Sequence, residues 1–565
     1  MTETAKPRRY HDLDALRAFA MLLGIVLHAC MSFLPLPITV SANQDIYQDS
    51  PGYGWLLSAI HGFRMPLFFV VSGMFTALLW QKRGIGGLLR HRAFRIGVPL
   101  LIGLFTIVPV VFVFSIGFGR NIWSASAKGD EAYVRAFTAV RADLNKPMQA
   151  EGIPGNGSTP LHIAAASGQP AVAQILIDAG AQVDSRATDL VDGKPSHATP
   201  LHYAAFSFQP GIAGLLIESG ADVNARDSNG GTPLDYALLS SDDAMAKQLI
   251  ASGAKHGEEL GEPGTVNSDA LAKSDSAAVS AGDAEIDYLG NWIKGASIQI
   301  QLMAMLVFFP AFAHLWFLYY LLWLVFGFAA LIWIARLIGF TSMPSLFSRF
   351  STIVLVAVPL TFMCQLLMVQ GFGPDTASGI LPWPPTLAYY GVFFITGSIL
   401  FMQNWHASLG KNFVFYLVAA AVLLPFGLAA LEMRSSSFWM YQSIASLLSV
   451  LYAWCMILAM FGLFRRFGSA ENSKVRYISD ASYWIYLIHL PMVYWLQAEL
   501  SDWMIPSLLK LSIISAVTFL LAIVSYHWLV RYTVIGAVLH GRKVRNGHVI
   551  STPSEPRLTA ETNAC

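Results

Sequence analysis

Ten apolar runs, most of them about 20 residues long, constrain this chain more than any other feature. They occupy residues 12–34, 56–80, 96–118, 313–338, 349–370, 386–402, 412–431, 440–464, 482–499 and 507–534. A helix needs about 20 apolar residues to cross a hydrocarbon core of about 30 Å, where all backbone polar groups must bond within the segment. The runs predict an all-α, polytopic membrane bundle of about ten transmembrane helices. A shorter run, 298–312, contains Pro310 and is interpreted as an interfacial lead-in to the fourth helix.

The overall composition supports a membrane protein. Only 13% of the 565 residues are charged and the mean hydropathy is +0.52, whereas about 25% of residues are charged in ordinary soluble domains. This composition argues against a cytosolic globular enzyme and against bulk disorder. No Cys-x-x-Cys spacing or zinc-helix motif occurs, so we predict no metal site and no permanently bound cofactor.

The charges between the runs predict an orientation. Residues 81–95 hold five Lys or Arg and no Asp or Glu, and residues 465–476 hold four Lys or Arg and one Glu. The alternate segments, 35–52, 371–385 and 495–506, contain Asp or Glu but no Lys or Arg. Short cytoplasmic loops carry an excess of Lys and Arg. The alternation predicts that both termini are cytoplasmic.

A repeated pattern interrupts the membrane part. Three blocks, 158–186, 198–226 and 231–255, share Thr-Pro-Leu, a Leu-Ile pair and a Gly-Ala step, and their Thr-Pro starts lie 40 and 33 residues apart. The pattern resembles the ankyrin repeat, an α-solenoid with a concave binding surface. We expect His162 and His202, in the Thr-Pro-Leu-His positions, to hold the repeat turns.

The orientation rule predicts that these repeats are extracytoplasmic, or periplasmic. The predicted domains are the first membrane part, the ankyrin domain, a flexible linker, the second membrane part and a cytoplasmic tail, at residues 1–119, 120–256, 257–297, 298–540 and 541–565. A degenerate capping repeat is a further possibility within residues 131–157. The stack is a candidate module for binding a protein partner or the acceptor.

Ionisable residues within membrane helices are functional candidates. Those found here are Asp14, Arg17, His28, His61, Arg64, His489, His527 and Arg531. Arg17 and His28 are eleven residues apart, so they project from one helix face and stand roughly 16 Å apart along its axis. Asp14 can pair with Arg17. The spacing places a cation at the cytoplasmic rim and an imidazole near mid-bilayer; a topology charge and a structural histidine are the alternative interpretation.

The segment LDALRAFA and its Arg17-x10-His28 spacing resemble the start of the membrane acyltransferase 3 family. Four further stretches are similar in the same order: HGFRMPLFFVVSGMF, the pair Arg92 and Arg95 before Pro99, LWFLYYLLW and SYWIYLIHLPMVYW. HGFRMPLFF is most similar to the branch containing glucan biosynthesis protein C (OpgC). The ankyrin insertion departs from the family pattern.

The resemblance implies an O-acyltransferase in the bacterial inner membrane that moves a succinyl or acetyl group from cytoplasmic acyl-CoA to an extracytoplasmic carbohydrate. Arg17, Arg92 and Arg95 would bind acyl-CoA, since Arg makes bidentate phosphate contacts. His28 would be the general base, acting directly or through an acyl-His28 intermediate, with Arg17 and Asp14 supporting it.

His61, Arg64 and His489 would face the acceptor or an acyl carboxylate. We expect the lipid bilayer, acyl-CoA and the carbohydrate as partners, and no nucleic acid. The alternatives are a transporter of an anionic or acylated solute and an ankyrin adaptor anchored by an inactive membrane domain.

Overall fold

The computed structural model describes residues 10–34, 43–47, 51–117, 119–140, 142–148, 156–188, 190–191, 194–239, 243–260, 311–339, 345–376, 379–405, 408–433 and 437–540. These residues are overwhelmingly helical. The only strands among them are β1, Leu190–Val191, and β2, Lys194–Pro195, which form an antiparallel pair. This hairpin lies in the insertion that lengthens the first repeat interval. The all-α prediction is confirmed.

Long helices make up the membrane body, here numbered with those of the repeats in chain order. They are α1 His11–Cys30, α2 Pro51–Arg92, α3 Val98–Gly117, α12 Trp316–Leu337, α13 Phe350–Leu366, α14 Pro384–Met402, α15 Phe413–Glu432, α16 Phe438–Gly468, α17 Ser473–Leu500, α18 Ser507–Ser525 and the short α19 Val534–His540. All ten predicted runs are thus helical over most of their length.

Seven described segments are long and apolar enough to span a membrane, against ten predicted spans. One of them, Gly52–Phe114, covers two predicted spans. Of the two remaining predicted spans, Phe350–Leu366 is a shorter apolar helix, and Ser473–Leu500 carries several charged and polar residues. The predicted interfacial lead-in, 298–312, lies outside the described residues except for its last two positions.

The basic segment 81–95 is helical, whereas the charge pattern predicts a short cytoplasmic loop there. α2 continues to Arg92, interrupted by the non-helical Gly84 (φ 67°), and a π-helical turn, Ala93–Gly97, joins it to α3. Lys, Arg and Leu are good helix formers, so the chain stays helical beyond the apolar run and bends at a glycine, which accepts positive φ without strain.

Glycines bring α2 and α14 into close contact. A Cβ on Gly73 would overlap the carbonyl oxygen of Phe394, and one on Gly397 would overlap that of Val70. The Ser398 hydroxyl donates to the Gly73 carbonyl across this contact at 3.0 Å. Small residues allow such an approach between membrane helices. Substitution here would force the two backbones apart.

Four helix pairs form the repeat stack. They are α4 Ile122–Lys128 with α5 Glu131–Ala139, α6 Pro160–Ala166 with α7 Pro170–Asp178, α8 Pro200–Phe206 with α9 Pro210–Glu218, and α10 Pro233–Leu239 with α11 Asp243–Ala251. The first pair is an additional repeat, and it begins about ten residues before the segment in which a capping repeat was anticipated. Within the predicted linker, residues 257–260 form a 3-10 turn against the last pair.

His162 and His202 hold the repeat turns, as predicted. Each ring accepts from the preceding Thr through Nδ1, and its Nε2 donates to a carbonyl of the following repeat, Ala198 for His162 (3.0 Å) and Gly231 for His202 (3.1 Å). Burial lowers the pKa of His162 to about 4 and also lowers that of His202. Both rings are therefore neutral structural groups at pH 7.

Asp235 replaces this histidine in the last repeat. Its carboxylate accepts from the Thr232 and Gly257 amides and from His256 Nδ1, at 2.9, 3.0 and 2.8 Å. Burial alone would raise the pKa of Asp235, but these hydrogen bonds outweigh burial and leave the pKa lower than usual. Asp235 thus fastens the chain that follows α11 onto the end of the stack.

The two ends of the membrane body differ. We call the end where α1 begins and α2 finishes the basic end. The opposite end, where α1 finishes and residues 119–120 lead into the repeats, is called the repeat end. Ile46 from this end lies inside the hydrophobic core of the stack and is 1% exposed. The stack therefore packs against the body as well as being connected to it.

Candidate functional site

A cavity of about 550 Å³ opens at the basic end, and it brings together all three residues predicted to bind acyl-CoA. Its cationic lining residues are Arg17, Lys82, Arg83, Arg92 and Arg95. Among the described residues, Asp14 and Asp480 are the only carboxylates that line it. The deeper wall is apolar, with Met21, Phe68, Phe75, Phe317 and Leu321. Such a cavity suits a ligand with an anionic head and a less polar arm.

The prediction that Asp14 pairs with Arg17 is confirmed. The Arg17 guanidinium lies 3.8 Å from the Asp14 carboxylate and donates to the Ser479 hydroxyl (3.3 Å) and carbonyl (3.4 Å) on α17. The Ser479 hydroxyl in turn donates to the Asp14 carbonyl at 3.0 Å. These bonds fix Arg17 at the seam between α1 and α17, with about a third of its side chain exposed.

Arg92 and Arg95 reach the cavity from the junction of α2 and α3. Arg92 Nη2 donates to the Thr76 hydroxyl at 3.1 Å, while its Nε is buried without a partner among the described residues. Arg95 donates to the Leu539 carbonyl at 3.4 Å. The positive charge of both side chains is not neutralised by a described carboxylate, so it is available to an anionic ligand.

Three histidine rings lie close together beyond the cavity. The His28 and His489 ring centroids are 5.3 Å apart, and those of His489 and His314 are 5.2 Å apart. His28 lies on α1, His489 on α17, and His314 in the 3-10 turn that precedes α12. Three separated parts of the sequence therefore meet at one point.

Backbone carbonyls fix the tautomers of two of these rings. His489 Nδ1 donates to the Tyr486 carbonyl at 2.7 Å, and His314 Nε2 donates to the Leu487 carbonyl at 3.0 Å. A neutral imidazole has one donor and one acceptor nitrogen. His489 Nε2 and His314 Nδ1 are therefore the acceptors, and both are buried without a hydrogen-bond partner among the described residues. They can accept protons or hydrogen bonds from a ligand.

Arg64 lies between the cavity and the histidine cluster. A Cβ on Gly24 would come within 2.6 Å of Arg64 Nη1 and 3.9 Å of His489 Nε2. Gly24 is about one helical turn from Met21, at the cavity wall, and one turn from His28. Among the described residues, Arg64 forms no ion pair with a carboxylate, and its buried Nε has no hydrogen-bond partner. A buried cation of this kind favours an anionic ligand.

His28 lies in the last turn of α1, two residues before its end at Cys30. Within the apolar segment His11–Phe33, His28 lies closer to the repeat end than to the basic end, and its depth near mid-bilayer stays a prediction. The amide of Gln497 donates to the His28 carbonyl at 2.8 Å and fixes this turn. The histidine cluster thus lies toward the repeat end of α1.

The other predicted candidates have separate surroundings. His61 Nε2 donates to the Pro374 carbonyl at 2.7 Å, so its ring is tied to the loop at residues 371–376. His527 and Arg531 surround Tyr477 near the basic end, with a hydrogen bond of 3.1 Å between His527 Nδ1 and the Tyr477 hydroxyl. Neither of these two lines the cavity.

His314 is not among the candidate residues predicted from the sequence. This histidine directly precedes LWFLYYLLW, a stretch already assigned to the family pattern. It was treated as part of an apolar run, because nothing local indicates that its turn packs against α17. Its position immediately before that motif was the available signal.

Comparison with known proteins identifies two domains in the chain. An acyltransferase domain matches residues 10–129 and 271–527, more than half of the chain, and ankyrin repeats match residues 122–227 and 186–259. Glucans biosynthesis protein C from Salmonella typhi and from Salmonella typhimurium strain LT2 are each 32% identical over 105 residues. This stretch is 18% of the present chain and 25% of each relative. The match thus spans about a quarter of those relatives.

Proposed function

Because this chain belongs to the acyltransferase 3 family and is a multi-pass membrane protein, we propose that it moves a succinyl or acetyl group from cytoplasmic acyl-CoA to a hydroxyl of an extracytoplasmic glycan. The observation that carries the proposal is the arrangement of the site. A cationic cavity lies at one end, a histidine cluster lies nearer the other end, and Arg64 lies beside the part of α1 that connects them.

The cavity residues would hold the CoA part of the donor. Arg17, Arg92 and Arg95 supply guanidinium groups for its phosphates, and Arg forms charge-assisted, often bidentate, bonds with phosphate. The apolar wall formed by Phe68 and Phe317 suits the thinner arm that carries the acyl thioester. With the phosphates at the arginines and the arm along this apolar wall, the thioester would point toward Gly24 and Arg64.

His28 would act as the general base. It takes the proton of the acceptor hydroxyl while the hydroxyl oxygen attacks the thioester carbonyl. The new C–O bond forms, the C–S bond breaks, and the proton passes from His28 to the leaving thiolate to give free CoA. The acceptor nitrogens of His489 and His314 would orient the sugar hydroxyl through hydrogen bonds.

Arg64 would bind negative charge on the acyl side. That charge is either the oxyanion that develops on the attacked carbonyl or the distal carboxylate of a succinyl group. A succinyl donor gives Arg64 a permanent counter-ion, and an acetyl donor gives only the transient one. The rise in KM that Arg64→Gln causes for each acyl-CoA therefore distinguishes the two donors, because only the succinyl group offers Arg64 a permanent charge.

The test uses the full chain reconstituted in vesicles, with acyl-CoA on one side, periplasmic-type glucans on the other, and mass spectrometry of the glycan. His28→Ala should lower acylation by roughly 10²- to 10⁴-fold, the usual contribution of a general base. His527→Ala, a membrane histidine away from the cavity, is the matched control and should remain active. Undiminished acylation by a folded His28→Ala variant would refute the proposed role of His28.

The same assay addresses the covalent alternative. An acyl-His28 intermediate predicts ping-pong kinetics and acyl-protein that accumulates when the acceptor is omitted. Direct transfer predicts a ternary complex and no trapped acyl group. The His28→Ala variant should abolish any trapped acyl-protein.

A further inference from the structure

Residues 43–47, here called the strap, join the repeat end of the membrane body to the repeat stack. Their backbone amides donate to the carbonyls of Ser32, Ser501 and Arg120, at 2.8, 3.3 and 2.9 Å. Ser32 follows α1, Ser501 follows α17, and Arg120 leads into the repeats. This five-residue segment therefore bonds three separate parts of the molecule.

The strap is connected to His28 through α17. The Asn43 side-chain amide donates to the Tyr494 carbonyl at 2.9 Å. Gln497, about one turn further along the same helix, donates to the carbonyls of His28 (2.8 Å) and Ala29 (3.3 Å). The turn of α1 that carries His28 is thus fixed by the helix that carries His489, close to where the strap is attached.

The first helix pair of the repeats holds the strap from the other side. The fully buried Tyr133 on α5 donates its hydroxyl to the Gln44 carbonyl at 2.7 Å. Ile46 fills the core of the stack. These contacts make the strap a structural part of the first repeat.

Arg120 forms a bridge between the stack and the body. Its guanidinium donates to Asp130, at the start of α5, at 2.9 Å and to Asp502, just after α17, at 3.0 Å. It also lies 5.3 Å from the centroid of the Tyr133 ring. One cation therefore neutralises a carboxylate on each side of the junction.

A buried ion pair fastens the strap to α18. Lys510 Nζ lies 2.7 and 2.9 Å from the two carboxylate oxygens of Asp45, with side-chain exposures of 0% and 4%. Removing either partner would leave a buried charge uncompensated. The position of the strap is therefore strongly specified.

We propose that the strap and the first repeat form a clamp that positions His28 for acyl transfer, with Arg120 and Tyr133 as positioning residues. This inference rests on the proposed function. The repeats are then a component of the acyltransferase site as well as a binding surface. A small shift of the α1 terminus changes the alignment of His28 with His489, and misplacement by about 1 Å can cost roughly 10²-fold in rate.

The test compares Arg120→Gln and Tyr133→Phe with wild type in the reconstituted full chain. kcat should fall about ten- to a hundredfold, while KM for acyl-CoA stays unchanged because the cationic cavity lies at the opposite end. Arg135→Gln is the matched control, since Arg135 pairs with Glu131 on the exposed face of the same helix. Asp130→Asn should lower kcat, and Asp130→Glu should restore most of it.

Hydrogen exchange provides a readout that does not depend on activity. Peptides covering residues 25–34 and 490–501 should exchange faster in Arg120→Gln and Tyr133→Phe than in Arg135→Gln. Faster exchange with lowered kcat supports the clamp. Two results would overturn the clamp. One is exchange as slow as in wild type for these peptides of Arg120→Gln and Tyr133→Phe, and the other is a rise in KM for acyl-CoA as large as the fall in kcat. A wild-type chain that transfers no acyl group would instead refute the proposed function, and with it the catalytic role of the clamp.

Discussion

Gly24→Ala is the most selective single change that the structure offers for the centre of the site. The added Cβ would lie 2.6 Å from Arg64 Nη1, whereas ordinary contacts begin near 3.4 Å. The guanidinium must therefore move by about 0.8 Å or more. Arg64 is a flexible side chain, so it can move without displacing α2, and the helix itself gains up to about 1 kcal/mol because alanine replaces glycine.

We expect Gly24→Ala to remain folded and to lose acyl transfer. A displacement of this size in a group that binds the reacting acyl chain should lower kcat/KM by roughly ten- to a hundredfold. The assay is acylation in reconstituted vesicles, with thermal unfolding measured on the same preparation. The expected result is an unchanged or slightly raised unfolding temperature.

Gly327→Ala is the matched control, because Gly327 also lies within a membrane helix and a Cβ there meets no atom within 4 Å. It should gain the same helix stability and keep full activity. Full activity of Gly24→Ala would refute the placement of Arg64 between the cavity and the histidines. Equal losses in the two variants would show a general effect of glycine replacement.

Three further predictions follow from separate features. Gly73→Ala should prevent folding or destabilise the body by about 1–3 kcal/mol or more, since its Cβ would overlap the Phe394 carbonyl; detergent-solubilised yield and unfolding temperature measure this. Arg92→Gln should raise KM for acyl-CoA about tenfold with a smaller effect on kcat, because one phosphate contact is lost. Arg466→Gln, at an exposed position near the same end, should leave this KM unchanged. Lowering the pH from 6.5 to 4 should destabilise the stack by about 3 kcal/mol through His162, whose pKa is about 4 when folded and about 6.5 when unfolded. Over this range the unfolded chain binds more protons than the folded stack, so the free energy of unfolding decreases as the pH is lowered. Hydrogen-exchange rates, corrected for their intrinsic pH dependence, should report this decrease.

The fold followed from the sequence because its signals are long and repetitive. Apolar runs of membrane length and Thr-Pro-Leu repeats at nearly regular spacing specify helices with little help from distant contacts. Arg17, Arg92 and Arg95 could be grouped because helix direction places them at the same end. Their convergence on one cavity is a consequence of that topology.

The remaining parts of the site depend on contacts between distant segments. His314 joins the cluster only because its turn packs against Leu487. Asp45 was interpreted as a loop charge that sets orientation, yet the structure buries it against Lys510, 465 residues away. The spacing of Arg17 and His28 predicted the helix face that they share, but not the rings of His489 and His314 that lie near His28. Such features are set by tertiary packing.

The contacts by which Asp235 fastens the following chain onto the last repeat have an evolutionary consequence. Tandem repeat arrays can lengthen or shorten by duplication or loss of whole units, and an added unit must have a neighbour on both sides unless it caps the stack. Here the carboxylate that replaces the usual histidine is already occupied by the chain that follows, and the first unit shares its core with residue 46 of the membrane body. A change in repeat number is therefore open only to the interior units. Among homologous chains with the same insertion, the first and last repeats should vary less in sequence than the interior repeats.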